Sequence, residues 1–289
     1  MITGNDPVWR RGEWYVNTKA DVSAPLGMLA GKQLSFPHQL LLLVKRNLLT
    51  VARMPWALIP PFAMSVFLVV IYESTLGKAA SFIPSLEGDY LSFILPLSIV
   101  TSSVAGAGIS AQNLVRDLEG GYFDKLLITP LDRAVLLLSP ILAGAVILGL
   151  QASAVLAVGV LLGLNSATGL AGLVAVVAFS VLLGTGFAGF TVSAALASGS
   201  AAVTESATFV FVPLTFIAPT FVPLELLDGW LRTAANLNPI TYVLQAMRTV
   251  LNTGWDIDVM WKGVLACLLL ALFTYSLAAI ALRVRTRRS

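Results

Sequence analysis

Few residues in this 289-residue sequence have the types and spacing that chemistry needs. There is one histidine, His38, and one cysteine, Cys267. Metal ligation needs a cluster of His, Cys or carboxylates, and none is spelled out. A Ser-His-Asp site fails as well, because His38 is remote from any apolar pocket. His38 reads as an interface residue and Cys267 as a small packing residue. Gly184-Thr185-Gly186-Phe187-Ala188-Gly189 matches G-x-G-x-x-G, with Glu205 near the distance of the acidic partner. The dinucleotide fingerprint needs a strand before it and a helix after it. Here the motif lies inside an apolar run, so it reads as close helix packing. Gly159-Val160-Leu161-Leu162-Gly163 is a G-x-x-x-G, a common packing pattern in apolar helices. No G-x-x-x-x-G-K-[ST] phosphate loop occurs. The expectation is therefore no catalytic residue, no metal and no cofactor on this chain. If ATP and Mg drive it, they sit on another polypeptide.

What such residues would be mounted on is plain from composition. The sequence is 57% hydrophobic and 11% charged, with mean hydropathy +0.86. A soluble domain carries about 25% charged residues. So few charges could not cover a soluble surface. Disorder is excluded by the apolar excess, and a disulfide scaffold by the single cysteine. No charged residue and no histidine occurs from Ala134 to Thr204, a run of 71 residues. A membrane helix needs about 20 apolar residues, so this run holds two, parted at Leu164-Asn165-Ser166-Ala167-Thr168-Gly169. The expected class is an all-α integral membrane protein with six spans, at about 56–76, 91–113, 134–164, 169–197, 204–224 and 261–282. The runs are continuous rather than alternating, which argues against a β-barrel.

Of the 18 Lys and Arg residues, 14 fall before span one, between spans two and three, or after span six. The positive-inside rule then places both termini in the cytoplasm. The net charge of +3 is thus a topology signal, not a nucleic-acid signal. Residues 1–34 read as a polar cytoplasmic arm without a cleavable signal, 35–285 as the transmembrane domain, and 286–289 as a basic tail. Within 35–53, Leu40, Val44, Leu48 and Val51 share a helical face, opposite Gln39, Arg46, Thr50 and Arg53. That pattern suits an interfacial amphipathic helix, and Met54-Pro55 would part it from span one.

Two segments outside the spans stand out. Residues 116–133 hold Arg116, Asp117, Glu119, Asp124, Lys125, Asp132 and Arg133. Gly120-Gly121 breaks the helix there, Tyr122 to Ile128 allow about two turns, and Thr129-Pro130 ends them. A short crosswise helix of this kind is either a docking surface or a solvated loop. On the other side, Pro219 and Pro223 end span five, a short helix carries Trp230, and Asn238-Pro239 restarts a helix as N-cap and N1. These pieces form either a re-entrant hairpin or a surface cap.

Together these two segments resemble the permease subunit of an ABC-2 type ABC exporter, the family that includes the daunorubicin-resistance permeases. Leu114 through Leu131 is similar to the family's acidic-Gly-x-x-x-x-x-Leu-x-x-[Thr/Ser]-Pro stretch between spans two and three. Phe221-Val222-Pro223, Trp230-Leu231-Arg232, Asn238-Pro239-Ile240-Thr241-Tyr242 and Ala246-Met247-Arg248 resemble its closing signature. Glu119-Gly120-Gly121-Tyr122 departs from the family pattern by an extra glycine. The resemblance implies an N-terminal amphipathic helix, six spans and short re-entrant outer helices between spans five and six. It implies a homodimer or heterodimer of permeases above two copies of a separate ABC ATPase subunit. It assigns Asp117, Glu119, Gly120, Phe123, Leu126, Thr129 and Pro130 to the ATPase-docking element. It assigns Phe221, Pro223, Trp230, Asn238, Pro239, Tyr242 and Arg248 to the outer re-entrant motif. The expected setting is a bacterial plasma (inner) membrane, multi-pass, with the lipid bilayer as a further partner and no nucleic acid.

The span centres carry no ionisable group, which suits an apolar or amphipathic substrate of the drug, lipid or glycolipid class. Ser65, Thr101, Ser102, Ser103, Thr208 and Thr215 either line its path or bond to their own helices. The rival classes are a secondary transporter or channel, which would show inverted repeats and midplane breaks, and a membrane scaffold without transport.

Overall fold

The computed structural model describes residues 35–80, 90–129, 131–220 and 224–288. The polar arm, Pro130, Phe221 and Pro223 lie outside the described residues, as does Ser289. Among the described residues every regular element is helical.

The first helix, α1 (Phe36–Ala52), has the expected length but not the expected inner face. Gln39, Asn47 and Val51 are buried in it, while Leu41, Leu42 and Leu49 are exposed. Gln39 turns inward because the Asp132 N–H, at a later helix start, needs an acceptor. Met54 and the short turn Pro55–Ala57 part α1 from α2 (Ile59–Ala80), whose two prolines sit in the first turn where their missing N–H groups cost nothing.

α3 (Tyr90–Glu119) runs past the expected end at 113 by nearly two turns. It stops where Gly120 and Gly121 allow it to, and Gly121 takes the left-handed conformation with φ 65°. The short α4 (Tyr122–Leu127) follows. Asp132 caps α5 (Arg133–Leu161) by accepting from the Ala134 N–H at 2.9 Å. The turn after α5 falls at the polar cluster 164–169, and α6 (Gly169–Ser198) follows. The apolar run expected as span five is two short helices, α7 (Ala201–Phe209) and α8 (Phe211–Ile217). Pro213 cannot donate to the Phe209 carbonyl, so the ladder breaks near Val210. Then come α9 (Gly229–Leu237), α10 (Pro239–Asn252) and the long α11 (Ile257–Arg288).

Among the described residues four helices, α3, α5, α6 and α11, are long and apolar enough to cross a membrane. Shorter apolar stretches are Ile59–Thr75 and Ala201–Ile217. α3 and α6 form the centre: α3 packs on α2, α5, α6 and α7, and α6 on α11, α5 and α10. α11 is peripheral, with Leu268, Leu269, Leu272 and Phe273 exposed.

The close approach of these helices explains the decoy glycines. A methyl group on Gly184 would meet Leu148 Cδ1 at 2.4 Å, and one on Gly189 would meet Tyr275 and Thr274 within 2.6 Å. The G-x-G-x-x-G run is therefore where α6 admits α5 and α11.

Candidate functional site

The charged segment expected to dock a partner is built in two layers. Inside, Phe123 is 2% exposed and belongs to the bundle core, with Leu126 packed against it. Asp117, near the end of α3, is gripped by both terminal nitrogens of Arg46 from α1. The Arg46 guanidinium also lies over the Tyr122 ring, 4.0 Å from its centre. The hydrogen bond to Asp117 raises the pKa of Arg46 above its ordinary value, against the opposing effect of burial. Gln39, buried in α1, accepts the Asp132 N–H at 3.1 Å. α1 thus clasps both sides of α4.

Outside, Glu119, Gly120, Asp124, Lys125 and Thr129 are exposed, and Ile128 is 86% exposed. Thr129 closes the turn by donating its hydroxyl to the Leu126 carbonyl at 2.6 Å. The side chains of Phe123 and Asp117 face inward, so they anchor the element rather than present a surface. Their orientation could not be read from a helix this short, because under two turns shows no periodicity. Ile128 was missed. The available signal was an isolated β-branched apolar residue beside a Thr-Pro stop in a charged loop.

At the opposite end of the bundle the closing motif forms a hydrogen-bonded knot. Asn238 is 2% exposed. Its oxygen accepts from Ile240 N–H at 3.0 Å, capping α10, and its amide nitrogen donates to the Leu214 carbonyl in α8. Thr241 and Tyr242, in the first turn of α10, donate to the carbonyls of Ala235 and Asn236 at 2.7 and 2.6 Å. Both carbonyls lie in the last turn of α9, where helical partners run out, and that of Ala235 also accepts the Asn238 N–H at 3.1 Å. Arg248 reaches three more carbonyls: Phe93 at 3.0 Å, Pro219 at 2.6 Å and Thr220 at 2.9 Å. Its guanidinium stands 3.5 Å from the Phe93 ring centre. Pro239 supplies the first turn of α10. Trp230, by contrast, is 76% exposed and stands apart from the knot.

The hydroxyls considered for a substrate path all bond to their own helices. Ser65 donates to Pro61, Thr101 to Leu97, Ser102 and Ser103 to Ile99, Thr208 to Thr204 and Thr215 to Phe211. Ser103 also meets the Ser180 hydroxyl at 2.8 Å. Backbone satisfaction therefore accounts for them.

Comparison with known proteins gives this geometry a setting. The family described as "ABC-2 type transporter" matches residues 38–252. A Cyanophora paradoxa protein named as a transport permease, ycf38, is 29% identical over 215 residues, covering 74% of each chain. A Mycobacterium tuberculosis protein named as a doxorubicin resistance ABC transporter permease, DrrC, is 28% identical over 213 residues, 74% of this chain and 76% of its own. One from Streptomyces coeruleorubidus, named as a daunorubicin resistance ABC transporter permease, DrrB1, is 27% identical over 218 residues, 73% and 75% of the two chains. The matched region runs from α1 through α10 and includes both the clasped α4 and the Asn238–Arg248 knot. The chain belongs to the ABC-2 type transporter family, as the membrane-embedded permease subunit of an ABC transporter.

Proposed function

We propose that this permease exports an apolar or amphipathic molecule of the drug, lipid or glycolipid class, driven by a separate ATPase subunit that docks on α4. In this reading the assembly holds two permease copies, identical or different, and two ATPase copies. The α4 end and both termini face the cytoplasm of a bacterial inner membrane, and α2 and α7–α8 supply the two shorter of six spans. α1 lies along the inner interface, with Leu41, Leu42 and Leu49 toward lipid. α9 and α10 form the outer re-entrant pair.

The observation that carries this reading is the two-layered α4. Its inner layer is fixed by Phe123 and by the Arg46–Asp117 pair. Its outer layer offers Glu119, Asp124 and Lys125 around a projecting Ile128. A buried foot under a charged rim with one apolar anchor is what a partner groove can grip. Closure of the ATPase pair on ATP would push α4. The push would pass through Asp117 to α3, the most buried helix, and through Arg46 to α1. Differential affinity of the nucleotide for the closed ATPase then shifts the permease between inward and outward states. The names of the relatives, which include resistance to doxorubicin and daunorubicin, support the drug class of substrate.

The test is a Glu119→Ala/Ile128→Asp double variant, co-expressed with an ABC ATPase subunit that co-purifies with the wild-type permease. Expected is a stable permease that no longer co-purifies with the ATPase or stimulates Mg-dependent ATP hydrolysis. Intact co-purification and vesicle transport in that variant would sink the docking assignment. Transport by the permease without any ATPase would instead favour a secondary transporter.

A further inference from the structure

The seam between α3 and α5 buries two polar side chains that it does not satisfy. Gln151 of α5 is 6% exposed and Ser110 of α3 is 1% exposed. Neither polar atom of the Gln151 amide, nor the Ser110 hydroxyl, meets a hydrogen-bond partner among the described residues. The hydroxyls of Thr101, Ser102 and Ser103 on the same α3 all find a carbonyl of their own helix. An amide left dry at such depth is costly.

Three close approaches fix the register of the two helices. Ser110 lies on Gly144, where a methyl group would stand 3.2 Å from the Ser110 Cβ. One turn along α3, Gly106 lies under Leu148, and a methyl group there would stand 3.3 Å from the Gln151 Oε1. Further along, Leu95 lies on Gly159. The helices are therefore antiparallel. Helical side chains lean toward the N-terminus of their own helix, so Ser110 and Gln151 lean toward each other along the seam. At 1.5 Å per residue, Ser110 and Gly106 are about 6 Å apart along α3. A slide of up to one turn brings the hydroxyl to the amide.

The neighbouring contacts allow that slide. α3 is bonded to α6, where the Ser103 and Ser180 hydroxyls meet at 2.8 Å and Thr191 donates to the Ala107 carbonyl at 3.0 Å. α5 instead meets both helices through a leucine wedge: Leu148 lies on Gly106 of α3 and on Gly184 of α6. A push on α4 that enters α3 at Asp117 would drive α3 away from the α4 end and past α5. That is the direction that carries Ser110 toward Gln151.

We propose that Gln151 is a positioning residue of the transport cycle: its amide is unpaired in the register of this structure and is paired by the Ser110 hydroxyl when α3 and α6 slide past α5 by up to one turn. A contact made in only one of two registers shifts the balance toward that register. The ATP-driven reading supplies the push, but the two registers do not depend on it.

The test uses the full-length permease in nanodiscs in a Cys267→Ala background, alone and with the co-purifying ABC ATPase. The pair Ser110→Cys/Gly144→Cys reports the register of this structure, because its β-carbons stand close to the roughly 3.5–4.5 Å of a disulfide. The pair Ser110→Cys/Gln151→Cys reports the second register. Under copper phenanthroline the first pair should cross-link faster in the permease alone. Trapping the complex with Mg-ATP and vanadate should slow the first pair and speed the second several-fold. Gln151→Leu should raise the melting temperature of the permease alone by a few degrees, since it removes a stranded amide. It should nevertheless lower ATP turnover of the complex several-fold. Ser110→Ala/Gln151→Leu should be no slower than Gln151→Leu, a non-additivity that mere loosening of the seam would not give. The proposal is overturned if Gln151→Leu melts below the wild type, or if its turnover is unchanged. It is also overturned if the second pair stays open both in the permease alone on prolonged oxidation and in the trapped complex. If no ATPase co-purifies, the docking reading fails, while melting and slow cross-linking of the permease alone still decide this one. Full ATPase coupling over an immobile seam fails this one alone.

Discussion

The two ends of the bundle treat their polar residues in opposite ways. In the α9–α10 knot, Asn238, Thr241, Tyr242 and Arg248 all spend their side chains on backbone groups of this same chain. In the α4 segment Asp117 pairs with the Arg46 side chain and Thr129 bonds the Leu126 carbonyl, while Glu119, Asp124, Lys125 and Ile128 remain exposed. Both segments carry a family signature, yet the same kind of signature serves different physics. The knot adds side-chain donors to carbonyls around the ends of α8 and α9, where a backbone group left dry in bilayer or protein interior would be costly. The α4 segment keeps a surface in reserve.

That contrast can be broken or sharpened by substitution, measured as thermal or denaturant stability of the purified permease alongside ATPase stimulation. Arg248→Ala should have the largest effect. It removes the donor to the Pro219 and Thr220 carbonyls, each costing about 1–3 kcal/mol if left unmade, together with the extra bond to the Phe93 carbonyl inside α3. A variant of wild-type stability would mean the knot is decorative. Phe123→Ala should follow, at roughly 3–5 kcal/mol for an emptied core position. A purely surface role for Phe123 would show instead as lost ATPase coupling with stability unchanged. Asn238→Ala should cost about 1–2 kcal/mol, chiefly from the lost cap, since the Leu214 carbonyl keeps the Ala218 N–H. Asn238→Asp should recover the capping share only. Arg46→Ala should cost only about 1 kcal/mol because the pair is partly exposed. It should lower ATPase coupling more than stability, since it removes the clasp between α1 and α3. Ile128→Ala should stay within about 0.5 kcal/mol of wild type while weakening ATPase co-purification. A stability loss there larger than that of Arg46→Ala would erase the distinction between the two ends.

Much of this was legible beforehand where local rules decide. The Asn238-Pro239 restart was readable because cap and N1 chemistry act between neighbours. The turn at 164–169 was readable because it interrupts an unbroken apolar run. The end of α3 at Gly120-Gly121 and the separation of α1 from α2 at Met54-Pro55 followed for the same reason. The inner face of α1 was not readable. Hydrophobic periodicity pointed to Leu40 and Val44, whereas Gln39 and Asn47 are what the structure buries. The partner of Gln39, the Asp132 N–H, lies 93 residues away. Likewise nothing local says that Arg248 reaches back 155 residues to Phe93, or that Phe123 faces inward.

The sequence by itself determined the membrane class, the all-helical character and the place of the four long apolar helices among six expected spans, because each follows from composition or from chemistry between near neighbours, and its two motifs carried the resemblance to the family. The tertiary structure alone decided which face of each short helix is buried. It also decided which carbonyls Arg248 and Asn238 satisfy, and that Ser110 and Gln151 share the seam between α3 and α5. Those outcomes depend on which orphaned backbone groups and apolar walls meet after packing, and distance along the chain does not encode that meeting.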